Sequence, residues 1–316
     1  MKRNVFMLMM AVLTLLSLGL WTPDLSRADV ESRYLQAPDD LRTVGAWRLH
    51  VRDSGPRQAP VVVFLHGFGA SLHTWDAWSS GLMKTHRVIR LDLPGSGLSP
   101  PDPANDYSDA RSLQLLVSLL DELGVSRASI VGHSMGGRIA WTFAAKHPER
   151  TDRLVLIAPD GFASEGFEYG KPPQVPVIMG LMRYVLPKSV LRMNLNSAYA
   201  HPDHLTDALT TRYHDLMRAP GAREAMLERL KQTVLQEPGP MLRQIKAPTL
   251  LVWGQADAMI PSSNARDYLQ AIAGSRLQSW PGVGHLPQEE AAEVSLQAVA
   301  DFLWIRPCEG FNAQGC

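Results

Sequence analysis

Short continuous apolar runs alternate along this chain with longer stretches in which apolar residues recur every three or four positions. Residues 61–65 (Val-Val-Val-Phe-Leu) are uninterrupted and largely β-branched, as in a strand buried on both faces. Residues 88–91, 128–131, 154–158, 249–253 and 277–280 read as further strands, and residues 46–51 alternate as an edge strand does. Residues 108–123 have helical spacing, with Ser108 as the N-cap and Gly124 just past the end. After residue 134, Met135, Ile139, Ala140, Phe143 and Ala144 share one face of a helix that runs to His147. Helical patterns also follow Pro261 and extend from 289 to 303. This alternation predicts the α/β class, a mostly parallel sheet with helices on both faces.

The alternation stops between Asp160 and Lys246. That stretch reads as several short helices and carries Met179, Met182, Met193, Met217, Met226 and Met241. We expect residues 161–246 to be a helical cap inserted over the carboxyl edge of the sheet, within one core built from residues 29–160 and 247–316. The first 28 residues differ again. Lys2 and Arg3 precede an uncharged run over residues 5–21, and Ser26-Arg27-Ala28 offers a small-x-small cleavage site, the layout of a secretory signal peptide. Export to the periplasm or the medium is expected. The run is 17 residues long, at the lower limit for crossing a bilayer, so an uncleaved N-terminal membrane anchor is the alternative.

Composition narrows the partners. Basic and acidic residues number 31 each, with no basic block or aromatic–basic stripe, so nucleic acid is not an expected partner. The only cysteines are Cys308 and Cys316. In an oxidising compartment they would close a short C-terminal loop as a disulfide, the alternative being two free thiols.

The chemistry centres on Gly132-His133-Ser134-Met135-Gly136-Gly137, placed where a strand gives way to a helix. Gly-x-Ser-x-Gly in that setting is a nucleophile elbow, whose tight turn exposes a serine Oγ and tolerates only small neighbours. A serine hydroxyl needs a base. His285 lies in a glycine-rich loop after the last strand, at the sheet edge that carries the elbow. His133 adjoins the serine, but side chains adjacent at a sharp turn are expected to diverge; His66 reads as structural. His201, His204 and His214 lie in the cap. His201-x-x-His204 admits a metal reading, although solvated histidines are the simpler one, and no metal is expected. Asp257, after strand 249–253, completes the order Ser134, Asp257, His285, with Asp160 as the competing acid. Oxyanion donors are expected from the N–H groups of Met135 and of Phe68, in His66-Gly67-Phe68-Gly69. In residues 92–99, Gly95-x-Gly97 follows a strand, but Pro100 stands where a dinucleotide fingerprint needs its third glycine. A structural turn is the reading, and no nicotinamide or flavin cofactor is expected.

With His66-Gly67-Phe68-Gly69, Asp92-x-Pro94-Gly95-x-Gly97-x-Ser99, the elbow, Asp257 and His285 in order, the chain resembles the α/β-hydrolase-fold serine hydrolases over nearly all of its length after residue 28. The resemblance implies a Ser134–His285–Asp257 triad and hydrolysis without a cofactor. Among such enzymes, epoxide hydrolases and haloalkane dehalogenases use an aspartate nucleophile, and C–C hydrolases of the meta-cleavage-product type usually have Asn before the serine and Trp after the histidine. Here those positions hold His133 and Leu286. The expected activity is that of an exported, lipase-like esterase acting on a small hydrophobic ester. C–C hydrolysis is the alternative, and a non-catalytic pocket for an apolar ligand is a third reading.

Overall fold

The structure is a computed structural model that describes residues 20–163 and 168–304. Residues 1–19 of the expected signal segment, and Cys308 and Cys316 with their expected disulfide, lie outside the described residues. Eight strands form one sheet: β1 (Leu41–Val44), β2 (Trp47–Ser54), β3 (Val61–Leu65), β4 (Arg87–Leu91), β5 (Ala128–His133), β6 (Thr151–Ile157), β7 (Thr249–Gly254) and β8 (Arg276–Trp280). Their spatial order is β1-β2-β4-β3-β5-β6-β7-β8. β1, β2 and β4 pair antiparallel, and every pairing from β4 to β8 is parallel.

β3 illustrates why the central strands are uninterrupted runs. Strand side chains alternate faces, and both faces are covered. Val63 and Leu65 join a core with Leu116, Ile139 and Phe143, beneath helices Asp109–Glu122 and Met135–Lys146. Val62 and Phe64 pack on the other side with Trp75, Trp78 and Phe302, against helices Asp76–Leu82 and Ala292–Trp304. The alternating segment at 46–51 is not the edge. β2 is flanked by β1, which turns back through a two-residue loop led by Gly45 at φ 55°. Leu-Arg-Thr-Val is too short to show a period.

Between β6 and β7 the chain builds helices Lys188–Asn196, Asp207–Met217, Ala222–Gln232 and Gly239–Leu242, preceded by a 3-10 helix at Val177–Arg183. A helix at Arg27–Tyr34, capped by Ser26, packs Val30 with Leu98 and Leu216. The expected cleavage point after Ala28 falls inside it.

Residues 92–99 form a buried knot. Asp92 accepts from Leu72 N–H at 2.6 Å, Leu98 N–H at 2.8 Å and His50 Nδ1 at 2.7 Å. Gly97 has φ 56°, and a Cβ there would stand 2.0 Å from the Asp92 carboxylate. Burial alone would raise this carboxyl; the His50 imidazole, with smaller contributions from His66 and His73, holds the group down at about 2. A depressed folded value means that the contribution is complete above the ordinary carboxylate range and is lost as pH falls through about 2. Thermal unfolding from pH 5 downward is therefore expected to drop less steeply in Asp92→Asn than in wild type. The variant itself starts lower, because it cannot meet three donors as an anion does.

Candidate active site

Four parallel strands, β3, β5, β7 and β8, end at one edge of the sheet, and each leads into a part of the site there. β5 runs directly into Ser134, which stands at φ 52° and ψ −119° as the N-cap of helix Met135–Lys146. Positive φ at a residue with a Cβ typically costs about 1–3 kcal/mol and persists only where the surroundings enforce it. Here Ser134 N–H donates to Ile157 C=O at 2.9 Å, and Ser134 C=O accepts from Arg138 and Asp160 N–H at 3.1 and 3.0 Å. The flanking glycines are required by contact. A Cβ on Gly132 would lie 2.3 Å from Gly136 O, and one on Gly136 would lie 2.3 Å from Leu65 O.

Met135 follows the serine directly, and Phe68 lines the same cavity as Ser134. Met135 is the first residue of its helix, so its N–H has no intrahelical acceptor and sits at the positive end of the dipole. Beyond β3, the turn closed by Ala70 N–H on Gly67 C=O at 3.3 Å leaves Phe68 N–H outside its own hydrogen bond. Gly67 lies so close to the elbow that a Cβ would meet His133 Nδ1 at 2.7 Å.

β7 and β8 deliver the other pair. Asp257 follows the end of β7; its Oδ1 accepts from Met259 and Ile260 N–H at 2.8 and 2.9 Å. Its Oδ2 is 2.8 Å from His285 Nδ1, and both side chains are buried. An ionised carboxylate only accepts, so Nδ1 carries the proton and Nε2 keeps its lone pair. Asp160, the competing acid, faces Arg138 instead, with Oδ2 3.5 Å from Nε. Burial pushes its carboxyl above the usual range.

Two features escaped the sequence reading. His133 does not diverge from the site: its ring lies 4.6 Å from that of His285, and its Nε2 donates to His285 C=O at 2.8 Å. Burial, reinforced by His285, keeps His133 neutral, well below the ordinary imidazole value. It acts as a strut between the end of β5 and the last loop. The second feature is a clamp on that loop. Glu290 accepts from Gly284 N–H at 2.6 Å and from His201 N–H at 2.8 Å, while His285 N–H donates to Ala198 C=O at 2.7 Å. Glu289 alongside accepts from Tyr199 and Tyr213 hydroxyls at 2.5 and 3.0 Å. The sequence signal was only an acidic pair in the first turn of a short helix, which ordinarily complements the dipole.

The other histidines singled out in the sequence lie outside this pair. His66 donates from Nδ1 to Gly67 C=O and accepts Leu93 N–H at Nε2. His201 and His204 are exposed. His214 is buried, with Nε2 2.8 Å from Leu186 C=O. No cluster of three metal-binding side chains occurs among the described residues.

Ser134 and His285 open onto a cavity of about 280 Å³, with Phe68 and His133 beside them. Its far wall comes from the helical segment between β6 and β7 and includes Met179, Met182, Met217 and Met226. Met193 is exposed instead, and Met241 packs against the core. Among the described residues, no Lys, Arg, Asp or Glu lines the cavity.

Residues 60–292 match the family model described as alpha/beta hydrolase fold. The chain is 31% identical over 281 residues to a 2-hydroxy-6-oxononadienedioate/2-hydroxy-6-oxononatrienedioate hydrolase of Escherichia coli (strain K12), covering 86% of this chain and 95% of that one. Among solved structures it is similar to the enol-lactonase of Burkholderia xenovorans LB400, with a TM-score of 0.71 and 25% identity over 83% of this chain and 98% of the other. The meta-cleavage product hydrolase of Pseudomonas fluorescens IP01 has the same fold, with a TM-score of 0.71 and 22% identity over 84% and 98%. From the match over most of its length, together with the elbow and the paired Asp257 and His285 at one sheet edge, the chain belongs to the alpha/beta hydrolase fold family and is a hydrolase.

Proposed function

We propose that this hydrolase cleaves carboxylic esters with an apolar acyl group, through an acyl-enzyme on Ser134. The observation that carries the proposal is the cavity: a nucleophile elbow opens onto a space walled mostly by methionines and aliphatic side chains, with no Lys, Arg, Asp or Glu in its lining among the described residues. Methionine adapts to irregular apolar shapes and suits an acyl chain. A burial coefficient of about 25 cal/mol per Å² makes such a wall a source of binding energy for apolar substrates alone.

In the mechanism, His285 Nε2 takes the proton of Ser134 Oγ as the oxygen attacks the ester carbonyl. The N–H groups of Phe68 and Met135 hold the oxyanion; each such donor typically contributes about 10²–10³ in rate. Asp257 stabilises the imidazolium without taking its proton. The imidazolium protonates the leaving alcohol; water then attacks the acyl carbonyl as it gives a proton to His285, and His285 passes that proton to Ser134 Oγ as the acyl–oxygen bond breaks and the acid leaves. An enol lactone is a cyclic ester, so the likeness to an enol-lactonase supports this chemistry.

The second reading is C–C hydrolysis of a meta-cleavage product. The relatives speak for it: the E. coli protein at 31% identity is named for that class of substrate. A dienedioate carries two carboxylates at neutral pH, however, and burying them without cations is strongly unfavourable. The cavity offers none among the described residues. His133 and Leu286 also stand where Asn and Trp are usual.

A series of p-nitrophenyl esters of rising acyl length, run beside a meta-cleavage dienedioate, separates the two. Ester turnover that rises with chain length before falling is expected, with slow loss of the dienedioate absorbance. Fast bleaching of the dienedioate with poor ester turnover would replace the first reading by the second. Tight ligand binding with no turnover of either would favour the non-catalytic reading.

A further inference from the structure

The cap carries an apolar ridge that faces solvent. In the 3-10 helix Val177–Arg183, Val177 is 96% exposed, Ile178 71% and Leu181 53%, while Met179 and Met182 from the same turns line the cavity. One short element thus presents aliphatic side chains outward and walls the pocket inward. Tyr184 continues the ridge and stacks on Trp21, with ring centroids 5.5 Å apart. Trp21 and Leu20, both about half exposed, extend it further. Thr22 N–H donates to Tyr184 C=O at 2.8 Å, so the start of the described chain is stitched onto this ridge.

We propose that the ridge docks on the surface of a lipid bilayer and holds the cavity mouth against it. Aliphatic groups in this number, gathered on one surface element, mark an interaction site. The chain leading into the ridge identifies the partner. Nineteen residues precede Leu20, and the uncharged run over residues 5–21 ends on the ridge itself, with Lys2 and Arg3 at its far end. Tyr and Trp at that junction are the residues favoured at membrane–water interfaces. Among the described residues no helix is long and apolar enough to cross a membrane, so the contact of the folded body is interfacial.

The docking also requires that the N-terminal segment stays attached, and its packing argues that it does. Asp24 lies 2.5 Å from the guanidinium of Arg223, whose side chain is 4% exposed. Leu25 N–H donates to Arg218 C=O at 2.8 Å, and Ser26 caps helix Arg27–Tyr34. Cleavage after Ala28 would take the carboxylate partner from a buried arginine, leaving it the Met182 carbonyl alone, and would uncap that helix; a buried charge deprived of its counter-charge is strongly destabilising.

The test uses the full chain with Cys308→Ser and Cys316→Ser, bound to vesicles of phosphatidylethanolamine and phosphatidylglycerol. A fluorophore is attached in turn at Ile178→Cys on the ridge and at Lys84→Cys, exposed just before β4 at the opposite edge of the sheet. The label at 178 is expected to be quenched by doxyl lipids and to lose its access to aqueous iodide; the label at 84 is expected to do the reverse. Three results would overturn the proposal: no vesicle binding, a 178 label still open to iodide on bound protein, or a 178 label already shielded without vesicles. The last would mean that the first nineteen residues or a second copy covers the ridge. None of these readouts involves turnover, so they hold whichever bond the site cleaves.

Discussion

Replacing Ser134 by alanine is expected to lower kcat for ester hydrolysis by about six orders of magnitude, the loss typical of removing a triad serine. KM should change little, because the cavity wall proposed to bind the acyl group is untouched. The residual rate should still exceed the uncatalysed rate by about 10³–10⁴, since the oxyanion donors and the binding site remain. Folding should survive. Alanine carries the same Cβ at φ 52° that serine does, and the three backbone hydrogen bonds that enforce the turn do not involve Oγ. Parallel measurement of steady-state kinetics and thermal unfolding checks both halves. Near-normal turnover by a folded Ser134→Ala protein would remove the serine from the mechanism.

The second large effect is expected at Asp257. Changing it to asparagine should reduce kcat by about 10⁴ at neutral pH, through the histidine tautomer rather than through packing. Oδ1 of Asp257 already accepts two backbone N–H groups, from Met259 and Ile260. An asparagine must keep its carbonyl oxygen there, which turns its NH₂ group toward His285 Nδ1. A donor facing Nδ1 forces the imidazole proton onto Nε2, where the base is needed. Asparagine at Asp160 should cost less than about tenfold by comparison, because that carboxyl faces Arg138 and bonds no imidazole. Equal losses at the two positions in kinetic assays would contradict the assignment of the acid.

Much of the molecule could be read from the order of its residues, for identifiable reasons. The central strands are legible because burial on both faces leaves no polar position to interrupt them, as in β3. The elbow is legible because its glycines are forced by contacts under 2.5 Å that no side chain could accept. What escaped notice depends on tertiary contact. β1 has only four residues and takes its place from β2, and helix Asp76–Leu82 earns its burial through Trp75 and Trp78 packed on Phe64. His133 and Glu290 carry no local sign of their work, since they reach a carbonyl 152 positions away and the His201 amide 89 positions away. The helix at Arg27–Tyr34 was masked by a segment whose composition reads as targeting rather than structure.

The covalent chemistry can be tested without knowing the substrate. Active protein is treated with an organophosphonate carrying an alkyl chain, and its peptides are mapped by mass spectrometry. A single phosphonyl group on Ser134, appearing in step with loss of activity and absent from Ser134→Ala, is the expected result. Complete inactivation with position 134 unmodified would show that some other group makes the attack.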